Sequence, residues 1–235
     1  MKTFLSLIIS VVALCGCAKK SEVNNILNSN GVYKNSSAKY LALGDSYTIG
    51  QSVPLDMAFP YQLTRLFGNE QTDAPTIIAA TGWTTTNLMN AIDQSGISGQ
   101  KFEFVTLLIG VNDQYQGKSI ESYSINFEKL VKTAIELANN SPERVLVLSI
   151  PDYSVTPFAA SSDRQAIATD IDQFNRRNKQ ISDANNVNYL DITDISRRAK
   201  SEPDLLADDG LHPSGKMYGL WVQRIEPLAR IGLSK

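Results

Sequence analysis

The chain has 235 residues, with 22 Lys and Arg against 24 Asp and Glu, a formal net charge of −2 and 43% hydrophobic residues. Charges of the two signs are interspersed with no basic stripe, which argues against a nucleic-acid partner. Both cysteines lie in the first 17 residues, so the rest of the chain has no internal disulfide and no Cys metal site, and His212 is the only imidazole available for acid–base chemistry near neutral pH.

The apolar run from Phe4 to Leu14 is 11 residues long. That is too short to span a bilayer, which needs ~20, and it fits the hydrophobic region of a signal peptide. Leu14-Cys15-Gly16-Cys17-Ala18-Lys19-Lys20 follows. This resembles a bacterial lipoprotein signal, in which a small residue precedes a cysteine that is lipidated and becomes the mature N-terminus. The resemblance implies residues 1–16 as the signal and Cys17 as the lipidated residue; Cys15 fits less well because bulky Leu14 precedes it. Residues 17–38, rich in Asn, Ser and Lys, read as a polar tether between anchor and domain. The 197 residues from Lys39 to Lys235 are ample for one domain with one core.

Within that stretch strand-like and helix-like segments alternate. Tyr40 to Leu43 is a short apolar strand, Phe59 to Phe67 a helix, Thr76 to Ala80 a second strand and Thr84 to Asp93 a short helix. Phe102 to Ile109 is the third strand. A helix from about Ser119 to Asn139 follows, with a 3.6-period stripe of Phe127, Leu130, Val131, Ala134 and Ala138. Arg144 to Ile150 is a fourth strand, stopped by Pro151. Asp163 is placed to cap a helix running to Ala184, striped by Ile167, Ile171, Phe174 and Ile181. Val187 to Ile192 is a fifth strand. A last helix starts near Ser214 and buries Met217, Leu220 or Trp221, Ile225 and Leu228, with Pro227 expected to bend or end it. Five continuous apolar strands separated by helices predict a parallel sheet covered on both faces.

In such a sheet ligands bind at the carboxyl ends of the strands. Four polar segments fall there: Gly44-Asp45-Ser46 after the first strand, Thr81-Gly82-Trp83 after the second, Gly110-Val111-Asn112-Asp113 after the third, and Asp209-Gly210-Leu211-His212 before the last helix. Each alone is an ordinary turn or cap sequence. Together they supply the parts of an acyl-transfer site. A serine hydroxyl needs a base to take its proton as it attacks, and His212 is that base for Ser46. A carboxylate must hold the imidazole in the right tautomer, and Asp209 is near enough. The oxyanion of the tetrahedral intermediate needs donors, for which the backbone N–H groups of Ser46 and Gly82 and the side-chain amide of Asn112 are candidates. Asp191 also ends a strand and is the second choice for orienting the histidine; Asp45 reads as a turn or cap residue and Asp113 as a structural residue that shapes the Asn112 turn. Trp83, Tyr115, Tyr153 and Phe158 lie near strand ends, where aromatics are at least as often packing as pocket lining.

The ordered set Gly44-Asp45-Ser46, Gly82, Gly110-x-Asn112-Asp113 and Asp209-x-x-His212 resembles the four blocks of the SGNH (GDSL-type) hydrolases, over residues 39 to about 231. Tyr47 stands where that family's name motif has Leu, a position that touches the pocket wall rather than the reaction. The resemblance implies a three-layer α/β/α sandwich of flavodoxin-like type with a five-stranded parallel sheet. It also implies ester hydrolysis without a metal or other cofactor, with Ser46 as nucleophile, His212 as base, Asp209 as its partner, and Gly82 and Asn112 in the oxyanion hole. The larger α/β-hydrolase group fits less well, because Thr48 replaces the second glycine of its Gly-x-Ser-x-Gly elbow and Ser46 lies just after the first strand. The expected protein is a serine esterase of the cell envelope, anchored to a membrane through a lipid on Cys17 and acting on a small-molecule or saccharide ester. An acyltransferase that passes the same acyl group to an envelope sugar, and a non-catalytic glycan-binding lipoprotein, are the alternatives.

Overall fold

The computed structural model describes residues 38–67 and 73–233. The expected signal peptide, the expected lipidation site at Cys17, and all of the expected tether but Ala38 lie outside the described residues. Five strands, β1 (Tyr40–Gly44), β2 (Thr76–Ala79), β3 (Phe104–Leu108), β4 (Val145–Leu148) and β5 (Asn188–Leu190), form one sheet in the order β2-β1-β3-β4-β5, with every pairing parallel. The helices are α1 (Ser46–Ile49), α2 (Phe59–Phe67), α3 (Thr85–Gln94), α4 (Val111–Tyr115), α5 (Ile120–Leu137), α6 (Arg164–Ala184), α7 (Thr193–Arg197) and α8 (Gly215–Leu233). Of these, α2 packs on α8, while α5 packs on both α3 and α6. The reversal of strand order at β1 puts these two helix groups on opposite faces, because parallel crossovers keep one hand. This is the expected three-layer sandwich.

The apolar runs are longest where the sheet is covered on both faces. All residues of β1, β3 and β4 are buried. The edge strands differ: β2 begins exposed at Thr76, and all three residues of β5 are only half-buried. The expectation of five continuous apolar strands therefore holds for the three central ones, and the edges mix polar residues into the ladder because one flank faces water. Strand limits are also tighter than the apolar runs. Phe102 and Ile109 are buried but lie outside the β3 ladder, and beyond β4 the Ile150 N–H donates to Asn175 Oδ1 at 2.7 Å while the Asn175 amide donates to the Ile150 carbonyl at 2.9 Å.

The helices follow their stripes. Phe127, Leu130, Val131, Ala134 and Ala138 are buried, as are Ile167, Ile171, Phe174 and Ile181, and Asp163 caps α6 by accepting from the Gln165 and Ala166 amides at 3.1 and 3.0 Å. In α8 Met217, Trp221 and Ile225 are fully buried and Leu220 and Leu228 partly so. Pro227 does not end this helix, which runs on to Leu233. Pro227 is exposed, and the carbonyl whose hydrogen bond it forfeits belongs to Gln223, also exposed, where solvent can take the place of the missing donor.

What positions the site is register. Gly44 at the end of β1 pairs with Ala79 of β2 and Leu108 of β3. The three strands therefore stop at one level, and the segments that follow them emerge side by side. Between β1 and β3 the chain departs in opposite directions, which opens a crevice at the point where the strand order switches.

Candidate active site

The first segment is held by the core. Gly44 closes β1, and a Cβ there would collide with the Thr48 side chain and the Leu108 carbonyl, so only glycine lets the chain turn this tightly into α1. Asp45 caps α1, its Oδ1 accepting from the Tyr47 amide at 3.0 Å, and Ser46 is the first helical residue. Asp45 is thus the cap residue that the sequence suggests. The other oxygen of Asp45, Oδ2, is buried without a partner, and burial pushes this carboxyl up to about 8, with the nearby Asp113 carboxyl adding to the rise. As the first residue of α1, Ser46 has a backbone N–H with no intrahelical acceptor.

The second and third segments are clamped together. Asn112 Nδ2 donates to the Trp83 carbonyl at 3.0 Å, and Asp113 accepts from the Thr85 amide at 2.8 Å and the Thr85 hydroxyl at 2.7 Å. Neighbouring residues of α4 therefore grip the β2–α3 loop on both sides of Thr84, just after Gly82. Asp113 is structural, as expected, but it reaches across β1 rather than shaping its own turn. Gly82 has φ +77, and a Cβ there would meet nothing within 4 Å. Backbone conformation, not space, calls for glycine, and the residue is exposed at the wall of the cleft.

The fourth segment brings the imidazole to the serine. His212 Nε2 lies 3.0 Å from Ser46 Oγ, and His212 Nδ1 lies 2.6 Å from Asp209 Oδ2. Asp209 Oδ1 accepts from the Leu211 and His212 amides, each at 2.9 Å, so the spacing of three residues lets one carboxylate fix both the backbone and the ring of the histidine. Burial works to raise the Asp209 carboxyl, but hydrogen bonds from Ser52, the His212 ring and the two amides outweigh it and hold it well below the usual carboxylate range. Asp191, the rival, is not at the site; it accepts from Ser149 Oγ at 3.0 Å and from the Thr193 amide at 2.8 Å at the start of α7. Ser46, Gly82, Asn112 and His212 all line one cleft of about 220 Å³, and Asp209 stands behind His212.

Several residues at this site carry no sequence signal. Ser52 donates to Asp209 Oδ2 at 2.6 Å, from 157 residues away, and sits at φ +66, a left-handed backbone unusual for a residue other than glycine. Gln51, Thr81, Val111 and Leu211 line the cleft, as do Tyr47 and three of the four strand-end aromatics, Tyr115, Tyr153 and Phe158. Tyr47 stands edge-on to the His212 ring at 5.6 Å, and its carbonyl accepts from the Tyr218 hydroxyl at 2.9 Å. Trp83, the fourth aromatic, packs partly against the core instead and contributes its carbonyl.

Solved structures share this fold. A lipolytic protein of the G-D-S-L family from Desulfitobacterium hafniense superposes with a TM-score of 0.65 at 18% identity, covering 82% of this chain and 99% of its own. An acetylxylan esterase from Geobacillus stearothermophilus gives 0.64 at 19%, covering 84% and 96%. A psychrotrophic esterase from Pseudoalteromonas gives 0.62 at 20%, covering 85% and 100%. No curated protein sequence matches the chain. Residues 42–220 match the GDSL-like lipase/acylhydrolase family, a span that begins inside β1 and ends in α8 and so takes in all four segments of the cleft. The chain therefore belongs to the GDSL-like lipase/acylhydrolase family and is an ester-bond hydrolase.

Proposed function

We propose that this protein is a serine esterase that works through an acyl-enzyme on Ser46. The observation that carries this reading is the unbroken series from Ser46 Oγ through His212 to Asp209, with contacts of 3.0 and 2.6 Å, opening on a cleft. An ionised carboxylate only accepts, so Asp209 takes the Nδ1–H of His212 and leaves the Nε2 lone pair facing the serine. Ser46 Oγ attacks the ester carbonyl carbon while its proton passes to Nε2. The oxyanion is met by the Ser46 and Gly82 N–H groups and by the N–H of Asn112 that Trp83 does not occupy. The intermediate collapses, and the alcohol leaves with the proton from Nε2. Water then gives a proton to Nε2 and attacks the acyl group, and collapse returns the proton to Ser46 and releases the acid. The substrate is a small-molecule or saccharide ester, a reading that the named acetylxylan esterase and esterase neighbours support.

Purified Ser46→Ala protein is expected to lose nearly all turnover of a short-chain nitrophenyl ester and to lose labelling by a fluorophosphonate. Retained turnover in that variant sinks the mechanism. The same proposal puts the enzyme in the bacterial cell envelope, tethered by a lipid on Cys17. Intact-mass spectrometry of membrane-extracted protein with no diacylglyceryl on that cysteine overturns the tether.

A further inference from the structure

The two ends of the cleft differ in chemistry. At the β2 end Thr81 and Gly82 are exposed, and the Thr81 hydroxyl donates to Gln51 Oε1 at 2.5 Å. At the β4 end Tyr115, Tyr153 and Phe158 form a corner. Their centroids are 6.0–6.3 Å apart and their planes inclined by 70°, 49° and 64°, so they enclose a three-walled apolar recess rather than a flat face on which a sugar ring stacks. Tyr115 is 61% and Phe158 48% exposed, a contiguous aromatic surface left to water beside the proposed nucleophile. The corner is held in place: the Tyr153 hydroxyl donates to Gln114 Oε1 at 2.9 Å, and Gln114 donates to Asp170 at 3.2 Å. It is also tied to the loop that carries the base, since the Phe158 amide donates to the Gly210 carbonyl at 3.3 Å, two residues before His212.

We infer that the aromatic corner is the acyl subsite, and that the preferred substrates are esters of apolar acids longer than acetate. This rests on the acyl-enzyme reading. The water that hydrolyses an acyl-enzyme takes the place the alcohol has left, so the alcohol belongs at the polar end, where the Gln51 and Thr81 side chains can hold that water. The acyl group stays through both half-reactions and belongs at the apolar end, against Tyr115 and Phe158. The cleft, at about 220 Å³, lies below the roughly 300–1,000 Å³ of sites for drug-sized ligands, so the chain is short to medium rather than long.

Nitrophenyl esters from acetate to octanoate test this. For the wild type kcat/KM should climb by up to about fourfold per added methylene until the corner is filled, the value expected for burying one methylene. In Tyr115→Ala/Phe158→Ala the climb should fall below about twofold per methylene. Both positions are exposed, so the replacements spare the core. A flat wild-type series, an unchanged climb in the double variant, or a climb that instead follows the alcohol in a series of alkyl acetates overturns the inference. A separate measurement isolates it from the mechanism: calorimetric binding of hexanoate to Ser46→Ala, weakened at least several-fold by adding the two aromatic replacements. If Ser46→Ala still turns over ester yet binds hexanoate through the corner, the mechanism fails and the subsite stands. If Ser46→Ala is inactive and the corner makes no difference, only the subsite fails.

Discussion

Ser46 follows directly on β1, a central strand with every residue buried, and is fixed by a helix cap and by the packing of Tyr218 beneath its neighbour. His212 sits far past the end of β5, in a loop with no strand to set its height. That loop is held by polar contacts: the Ala207 amide to the His212 carbonyl at 2.8 Å, the Ser214 amide to the Leu205 carbonyl at 2.8 Å, the bridge of Leu206 with Pro213, and the hydroxyl of Ser52. One reactive group is therefore positioned by a core strand and its cap, and the other by a loop that packs Leu205, Leu206 and Leu211 on the core and is shaped by a small set of hydrogen bonds. Packing of a core is costly to change, at about 2–5 kcal/mol for a large truncation, whereas a single hydrogen bond is worth about 1 kcal/mol. The imidazole side of the cleft is the side that single surface substitutions can adjust.

Three replacements press on that contrast. Asn112→Ala acts on the strand-anchored side, and kcat should fall by roughly a hundred- to a thousandfold with KM little changed, as for loss of one oxyanion donor. An unaltered kcat takes Asn112 out of the oxyanion site. Ser52→Gly acts on the loop-anchored side. It removes the hydroxyl that Asp209 accepts while easing a left-handed backbone, and kcat should drop about tenfold, the equivalent of one hydrogen bond to a charged group. Wild-type kcat in that variant would mean that the Leu211 and His212 amides hold the carboxylate unaided, and the contrast would narrow to the backbone of the loop.

The third replacement bears on stability rather than turnover and belongs to Asp45. Its carboxyl stands at 3.8 in the ordinary state and near 8 when buried in the fold, so the folded chain keeps a proton that the unfolded chain gives up. The contribution of Asp45 to stability is whole below about pH 4 and is lost as the pH rises toward 8. Asp45→Asn keeps an acceptor for the Tyr47 amide and has no proton to lose. Its melting temperature should gain on that of the wild type between pH 5 and pH 8, read by calorimetry at both values. A constant difference across that range would mean that the buried carboxylate is already ionised at pH 5.

Legibility in the sequence follows the same division. The runs that became β1, β3 and β4 are readable because a strand covered on both faces is apolar along nearly all its length, the buried Thr106 being hydrogen-bonded to Tyr40, and the ends of β1 and β3 carry Ser46 and Asn112. Asp209 and His212 are readable for a different reason: a spacing of three lets one carboxylate reach both amide and ring. Ser52 is not readable, because its partner is distant in the chain and nothing in Gln51-Ser52-Val53 marks a left-handed turn. Strand β5 is blurred by its edge position, and Pro227 misleads because an exposed helix face lets water replace the missing donor. Tyr115, Tyr153 and Phe158 look in the sequence like any aromatics near strand ends. Only the exposure of Tyr115 and Phe158 and the mutual tilt of the three rings separate a recess from core packing.

The lone histidine has a practical consequence. A chain with a single imidazole gives a single pair of imidazole carbon-bound proton signals in a nuclear magnetic resonance spectrum, and in the untagged protein these need no assignment. That ring is the one between Ser46 and Asp209. Protonation, acylation of the neighbouring serine and the filling of the aromatic corner can each be followed from one resonance, with every other residue of the protein left as it is.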